Sequence, residues 1–173
     1  MSLVERNSTL LPVYFSQRGD GPEGSSLALR VNPFASAAGY IAAQRDVVDL
    51  GNYEAGQRTY SPVVFRPHLN PGTYLIFEPP RASPNEVGPT SELDLIWQPA
   101  RAEMLTYAER TPGRVDYVLL WAMRDRQRRK QTTESLLRQL AEGYELIYTS
   151  PRLGLMQLYQ RTNFPKSPAV LIE

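Results

Sequence analysis

The sequence predicts an α/β fold with three layers, in which helices cover a mixed, mainly parallel sheet that ends in a C-terminal antiparallel hairpin. The nearly continuous apolar segment 115–123 is typical of a central strand that is covered on both faces. Residues 133–142 place leucines on one side of a helix that stops at Gly143, which completes a β-α-β unit. Residues 144–149 and 155–161 then alternate around a turn and predict the hairpin.

The N-terminal part supplies the other elements of this fold. The apolar residues 10–15 predict a strand, and the glycine-rich residues 19–26 predict a loop. A helix is expected to begin at Asn32-Pro33, because Asn caps the free amides of a first turn and Pro suits its first position. This helix should end near Arg45, and residues 47–50 predict a short strand after it.

The middle of the chain is rich in proline, which cannot donate a ladder hydrogen bond. Residues 63–66 and 73–77 are therefore expected to form short or edge strands at most. Apolar residues at helical spacing predict a helix that begins at Pro99 and ends near Arg110.

The length of 173 residues suits a single α/β domain, with residues 1–9 and 163–173 expected at its periphery. The opening Met1-Ser2-Leu3 has the form of an expression leader, so we expect a domain excised from a longer protein. No apolar run in the sequence is long enough to cross a bilayer.

Composition excludes several classes of function. A formal net charge of +1 argues against a protein that coats nucleic acid. The chain has no Cys and a single His, His68, so thiolate chemistry and zinc sites with Cys ligands are excluded and no metal site is predicted. The glycines of residues 19–24 match a dinucleotide-binding pattern, but no helix follows them directly and Asp20 and Glu23 would repel phosphate, so we predict no cofactor.

A basic segment follows the predicted central strand, where open α/β sheets bind ligands. Its guanidinium and ammonium groups could hold a phosphate, a phospholipid headgroup or a lipid-linked sugar phosphate, or they could form a solvated turn. The basic segment comprises Arg124, Arg126, Arg128, Arg129 and Lys130.

A polar cluster lies at the end of the short strand 47–50. Its carboxylates could act as acid and base or bind a hard cation, although Asp and Asn are also ordinary turn formers. The polar cluster comprises Asp49, Asn52, Tyr53 and Glu54.

Four segments carry a family resemblance: residues 47–55, 60–67, 116–121 and 144–151. Together they resemble the C-terminal soluble domain of bacterial polytopic membrane proteins of the glycosyltransferase C type, which use lipid-linked sugar donors. In that family the catalytic acid lies in a loop of the membrane portion. The resemblance implies a domain on the extracytoplasmic face of a bacterial membrane without its own active site, whose partner is the transmembrane part of the same polypeptide.

Two hypotheses follow from these observations. The first is a non-catalytic accessory domain of a membrane glycosyltransferase-like protein, whose basic segment contacts anionic lipid, a lipid-linked sugar or the acceptor. The second is a free-standing α/β hydrolase or transferase acting on a phosphorylated or sugar substrate. In the second hypothesis Asp49, Glu54 and the basic segment converge in one pocket.

Overall fold

The computed structural model describes residues 3–15, 37–52, 55, 64–78, 98–121, 123, 131–151 and 154–162. The helices in this part are α1 (Ala37–Arg45), α2 (Met104–Arg110) and α3 (Gln131–Gly143), with 3-10 turns at Pro67–Leu69 and Pro71–Thr73. The strands are β1 (Thr9–Tyr14), β2 (Val48–Asp49), β3 (Leu75–Glu78), β4 (Gln98–Ala102), β5 (Tyr117–Trp121), β6 (Tyr144–Thr149) and β7 (Met156–Arg161). None of the helices in the described ranges has the length and apolar character needed to span a membrane.

The larger sheet has the strand order β2-β1-β5-β7-β6. β1 pairs in parallel with both β2 and β5, whereas β7 pairs antiparallel with both β5 and β6. Four strands therefore run in one direction and β7 runs against them. An α/β fold with a mixed sheet is confirmed. β3 and β4 form a separate antiparallel pair.

Strand alternation divides the core into two clusters, because successive side chains of a strand point to opposite faces. Leu11 and Val13 of β1 belong to the cluster that contains Leu136 and Leu140 of α3. The intervening Leu10 belongs to the cluster that contains Ala38 of α1, together with Tyr117, Leu119 and Leu158. α1 and α3 thus pack against opposite sides of β1 and β5.

α1 ends in a left-handed residue, as helices commonly do. Asp46 has a φ of 53°, and the amide of Val47 donates to the carbonyl of Ala42 at 3.0 Å, which is the six-to-one hydrogen bond of a Schellman motif. The predicted end at Arg45 is confirmed, whereas the predicted start at Asn32-Pro33 lies outside the described residues.

The C-terminal elements lie close to their predicted positions, but their arrangement is less simple than an adjacent β-α-β unit. β5 and β6 are joined by α3 and point the same way, yet β7 lies between them. Central β5 is buried on both faces, with Tyr117, Val118, Leu119 and Leu120 all at 2 % exposure or less.

The predicted helix 99–110 is wrong in its first part. Residues 98–102 form β4, with Pro99 opposite Phe77 where the register shifts, and the helix begins only at Met104. Proline is tolerated there because bulged or edge positions need no ladder amide. The apolar residues of β4 and of α2 follow each other at intervals that together match the period of a helix, so the sequence pattern continues across Pro99 although the structure changes there. No strand forms at residues 64–66 of the predicted strand 63–66.

The residues before β1 pack against α1. Val4 is buried in the same cluster as Ala38 and Leu10. The guanidinium of Arg45 donates to the Val4 carbonyl from both Nε and Nη2, at 3.0 and 2.9 Å. These contacts fix the segment before β1 against the end of α1.

Candidate ligand site at the carboxyl edge of the sheet

The strand order contains a topological switch point between β1 and β5. The chain leaves β1 for β2 on one side, and it leaves β5 through α3 for β6 on the other side. Ligands of open α/β sheets bind in the crevice outside the carboxyl ends of such strands. Tyr14 and Trp121, which are register partners, end the two strands at this carboxyl edge.

Tyr14 places a buried hydroxyl at the edge. Its Oη is covered and makes no hydrogen bond. Burial raises the pKa of Tyr14 well above its usual value, and the charge of Asp49 adds to the increase. The backbone of Ala38, in the first turn of α1, partly offsets this increase in pKa. The Tyr14 hydroxyl and the Ala38 backbone do not reach the geometry of a full hydrogen bond. The phenol therefore stays protonated and remains a hydrogen-bond donor across the physiological pH range.

Thr133 places a second buried hydroxyl near the same edge. β6 starts directly after α3 and runs parallel to β5, so α3 must run from the carboxyl edge back to the amino edge. Its first turn, which contains Thr133, therefore lies at the carboxyl edge. Thr133 is 0 % exposed, and its Oγ1 has no hydrogen-bond partner.

The basic segment lies outside the described residues. The strand before it ends at Trp121, Met123 is partly buried against the core, and the helix after it begins at Gln131. In the sequence, the basic segment therefore lies between the end of β5 and the start of α3, in the connection that leaves the switch point from β5. It comprises the five cations Arg124, Arg126, Arg128, Arg129 and Lys130.

The described members of the polar cluster are turn formers. Asp49 Oδ1 accepts from the Gly51 amide at 2.9 Å, and Asn52 Oδ1 accepts from the Ala55 amide at 3.2 Å. Burial raises the pKa of Asp49, while the Gly51 amide opposes the increase. Tyr53 and Glu54 lie outside the described residues.

The register separates the polar cluster from the end of β5. Asp49 pairs with Leu10, whereas Trp121 pairs with Tyr14 four residues further along β1. Four residues of strand span roughly 13 Å. The backbone of Asp49 therefore lies near the beginning of β5, not near the end from which the basic segment departs.

His68 and the acidic groups show no metal-binding arrangement in the described ranges. His68 is exposed in the turn Pro67–Leu69. Across residues that the structure places, no three or more His, Asp or Glu side chains are grouped so that they could hold a metal ion.

The amino edge of the sheet is held by satisfied polar contacts. Asp116 accepts from the Thr9 amide at 3.0 Å and pairs with Arg114 Nε at 2.7 Å. The Tyr144 hydroxyl donates to the Val115 carbonyl at 2.9 Å. These bonds tie β1, β5 and β6 together and give this edge a structural role.

Tyr14 and Thr133 were not predicted as site residues from the sequence. Both look like ordinary core positions in the sequence, because Tyr14 ends an apolar strand and Thr133 occupies the buried face of an amphipathic helix. Only the strand order shows that these two positions flank one edge.

No protein-family model matches this chain, and no curated protein or solved structure shows significant similarity to it.

Proposed function

We propose that this chain is a non-catalytic accessory domain of a membrane glycosyltransferase-like protein, acting at the extracytoplasmic face of a bacterial membrane. Its basic segment contacts the phosphate of a lipid-linked sugar, an anionic lipid or the acceptor, and its partner is the transmembrane part of the same polypeptide. The observation that carries this proposal is the switch point between β1 and β5, because the strand that leads into the basic segment ends there.

The architecture proposed with this function has three layers and closes with the C-terminal hairpin. The division of the core between α1 and α3 supports the layers, and the antiparallel pairing of β6 with β7 supports the hairpin. In such a domain both helices direct their N-termini toward the carboxyl edge. The positive ends of their dipoles favour an anionic ligand there.

The contacts made by the titratable groups support the non-catalytic part of the proposal. Asp116 is bonded to Thr9 and paired with Arg114, Asp49 is bonded within its own turn, and His68 is exposed. These contacts give Asp116 and Asp49 structural roles.

The proposal is tested by binding to vesicles with a matched charge control. The triple variant Arg126→Gln, Arg128→Gln, Arg129→Gln is compared with Arg66→Gln, Arg110→Gln, Arg138→Gln, which removes the same charge from exposed positions elsewhere. Each basic residue near an anionic surface contributes about 1 kcal/mol, so the first triple should weaken binding roughly 100-fold. The second triple should leave binding nearly unchanged.

Vesicle composition separates the possible sources of the phosphate. Phosphatidylcholine vesicles are used alone, with phosphatidylglycerol, or with a polyprenyl phosphate sugar. Preference for the polyprenyl phosphate sugar supports the lipid-linked donor, and equal binding to both anionic vesicles supports a general lipid contact. An equal loss of binding in the two triple variants, or no binding by the unaltered chain, would contradict the proposal.

A free-standing hydrolase or transferase remains the second candidate because of Asp49. Burial raises the pKa of this carboxyl group, its charge adds to the raised pKa of Tyr14, and perturbed pKa values of this kind are typical of functional sites. The distance along β1 between Asp49 and the end of β5 does not favour the convergence that this hypothesis needs. Turnover of aryl phosphates or aryl glycosides that Asp49→Asn abolishes would favour the enzyme over the accessory domain.

A further inference from the structure

The two edge strands of the larger sheet differ in length and exposure. β2, at one edge, has two residues, whereas β6, at the other, has six. Proline and lysine commonly protect edge strands from pairing, and β6 contains neither. Leu146 of β6 is 46 % exposed, and no strand in the described part of the chain pairs with the outer side of β6. This edge is therefore open to a further strand.

The ladder between β6 and β7 shows which backbone groups of β6 face outward. The Thr162 amide donates to the Gly143 carbonyl at 2.9 Å, so these two residues form a bonded pair. Bonded and non-bonded pairs alternate along an antiparallel ladder. Leu146, which is opposite Tyr159, therefore belongs to a non-bonded pair and directs its amide and carbonyl away from β7.

Beyond the bulge of β6, Thr149 faces outward in the same way. The Ser150 amide donates to the Met156 carbonyl at 2.8 Å, so the adjacent pair of Thr149 with Gln157 is again non-bonded. The partners of Leu146 and Thr149 on β7 are two residues apart, as in a regular ladder, although the bulge inserts one residue of β6 between them. The outward groups therefore keep the spacing that an additional strand needs.

We propose that two copies of this chain associate through antiparallel pairing of their β6 strands, in which Leu146 of each copy forms a bonded pair with Thr149 of the other. A two-fold axis between these residues makes the same edge serve both copies. The larger sheets of the two copies then form one continuous sheet. This inference goes beyond the proposed function and does not depend on lipid or sugar binding.

The charge on β6 is compatible with a second copy in this register. Glu145 is the only charged side chain of the strand. In the proposed register Glu145 lies opposite Ser150 of the second copy, so the two carboxylates stay apart. Pairing Leu146 with Tyr144 instead would place the two Glu145 side chains directly opposite each other, which is destabilising. Charge therefore selects one register for a pair of identical strands.

Apolar side chains line both faces of this seam. Leu146 lies on the face of the sheet that α3 covers, as does Tyr159 opposite it. Ile147 and Tyr148 are partly buried against the cluster on the α1 side, and the two-fold axis brings them next to their copies. The pairing thus covers the exposed Leu146 side chain in addition to forming backbone hydrogen bonds.

The association should be weak and reversible, because pairing through one strand is small beside the roughly 800 Å² per partner of a standard stable interface. Sedimentation velocity of the full 173-residue chain should show a dimer that grows as concentration rises from about 10 µM to about 1 mM.

Lysine substitutions at three equally exposed aliphatic residues locate the interface. Leu146→Lys places like charges in the seam and should weaken dimerisation roughly tenfold or more. Val64→Lys, at a position outside the strands with the same 46 % exposure, and Val48→Lys, at the β2 edge with 48 % exposure, should leave dimerisation unchanged. Because all three positions are exposed, each variant should stay folded, which circular dichroism checks.

Single cysteines test the register, because the chain contains no Cys of its own. A mixture of Leu146→Cys and Thr149→Cys chains should form a mixed disulfide on oxidation, because the Cα atoms of a bonded pair lie about 5.5 Å apart. Either variant alone should cross-link much more slowly. Its equivalent residues would be offset by about 7 Å along the strand in addition to the spacing between strands, which exceeds the reach of a disulfide.

Loss of the dimer confined to Leu146→Lys, with preferential mixed cross-linking, would support the inference whether or not the chain binds vesicles. A chain that remains monomeric at about 1 mM would overturn it. Equal loss in Leu146→Lys and Val64→Lys, or loss confined to Val48→Lys, would also overturn it. Cross-linking of either cysteine variant alone as fast as the mixture would exclude the proposed register.

Discussion

At the scale of single residues, Asp46 occupies a left-handed conformation that favours glycine, with a φ of 53°. Asp46→Gly should therefore stabilise the protein by about 0.5–1 kcal/mol, measured by urea unfolding. The ion pair with Arg6 that it removes joins side chains that are 68 % and 62 % exposed, so its loss should matter little. Asp46→Val, with a β-branched side chain, should destabilise, and equal stability of the two variants would contradict the prediction.

Asp49 should make stability depend on pH in a direction opposite to that of a salt-bridged carboxylate. Burial raises its pKa in the folded state, so the folded chain binds the proton more tightly than the unfolded chain does. The contribution of Asp49 to stability is therefore fully present below its unfolded pKa of 3.8 and is lost as pH rises through the folded value.

Asp49→Asn should remove this dependence. The amide oxygen can still accept from Gly51, while no charge has to be buried, so the variant should be more stable at pH 7. The gain in Tm over the unaltered chain should shrink as pH falls toward 4. A gain that stays constant from pH 4 to pH 8 would show that burial of the Asp49 charge is not its cause.

Some of the residues discussed here could be predicted from the sequence and others could not. Asp49 and Asn52 were identified because polar residues after a short strand are visible in one dimension, and their observed turn contacts agree with the structural alternative. Tyr14 and Thr133 could not be identified, because their chemical interest depends on missing hydrogen-bond partners. That property depends on neighbours that are distant in the sequence.

At the scale of elements, α2 is capped by a side chain from α3. Glu103 supplies no side-chain cap, and Gln139 Oε1 instead accepts from the Met104 amide at 2.9 Å and from the Leu105 amide at 3.4 Å. Gln139 itself is only 9 % exposed. This contact joins the two helices at a buried point where water cannot easily replace it.

Gln139→Leu tests the contribution of this cap to stability. The substitution leaves the buried Met104 amide without an acceptor, which should destabilise the protein by about 1–3 kcal/mol in chemical unfolding. Arg138→Leu, at the exposed neighbouring position, should change stability by less than about 0.5 kcal/mol. A loss in Gln139→Leu no larger than in this control would contradict the capping role.

Element boundaries could be predicted where local chemistry and packing agree. β6 and the end of α1 were placed correctly because alternation, Gly143 and the start of a new strand all favour the same positions. β4 was missed because its apolar residues are continuous with those of α2 in helical spacing, while its strand state depends on pairing with β3. Long-range pairing of this kind leaves no local pattern.

At the scale of the whole molecule, the last described strand occupies an interior position of the sheet. β7 lies between β5 and β6, and its Leu158 is buried in the cluster of α1. The sheet therefore cannot be completed until the chain has been made up to Arg161. The sequence predicted β6 and β7 as a pair, but their place relative to β5 is set by pairing between segments that α3 and β6 separate in the chain.

Truncation should reveal this dependence. A chain ending at Thr162 keeps β7 and the bond from the Thr162 amide to the Gly143 carbonyl at 2.9 Å, so it should unfold cooperatively with a Tm close to that of the whole chain. A chain ending at Pro151 loses β7, leaving β5 and β6 without their shared partner and the core without Leu158. It should lack a cooperative transition in calorimetry and in near-UV circular dichroism. Since β7 carries the only antiparallel contacts of β5 and β6 in the described part, a folded Pro151 truncation would require a different strand order from the one observed.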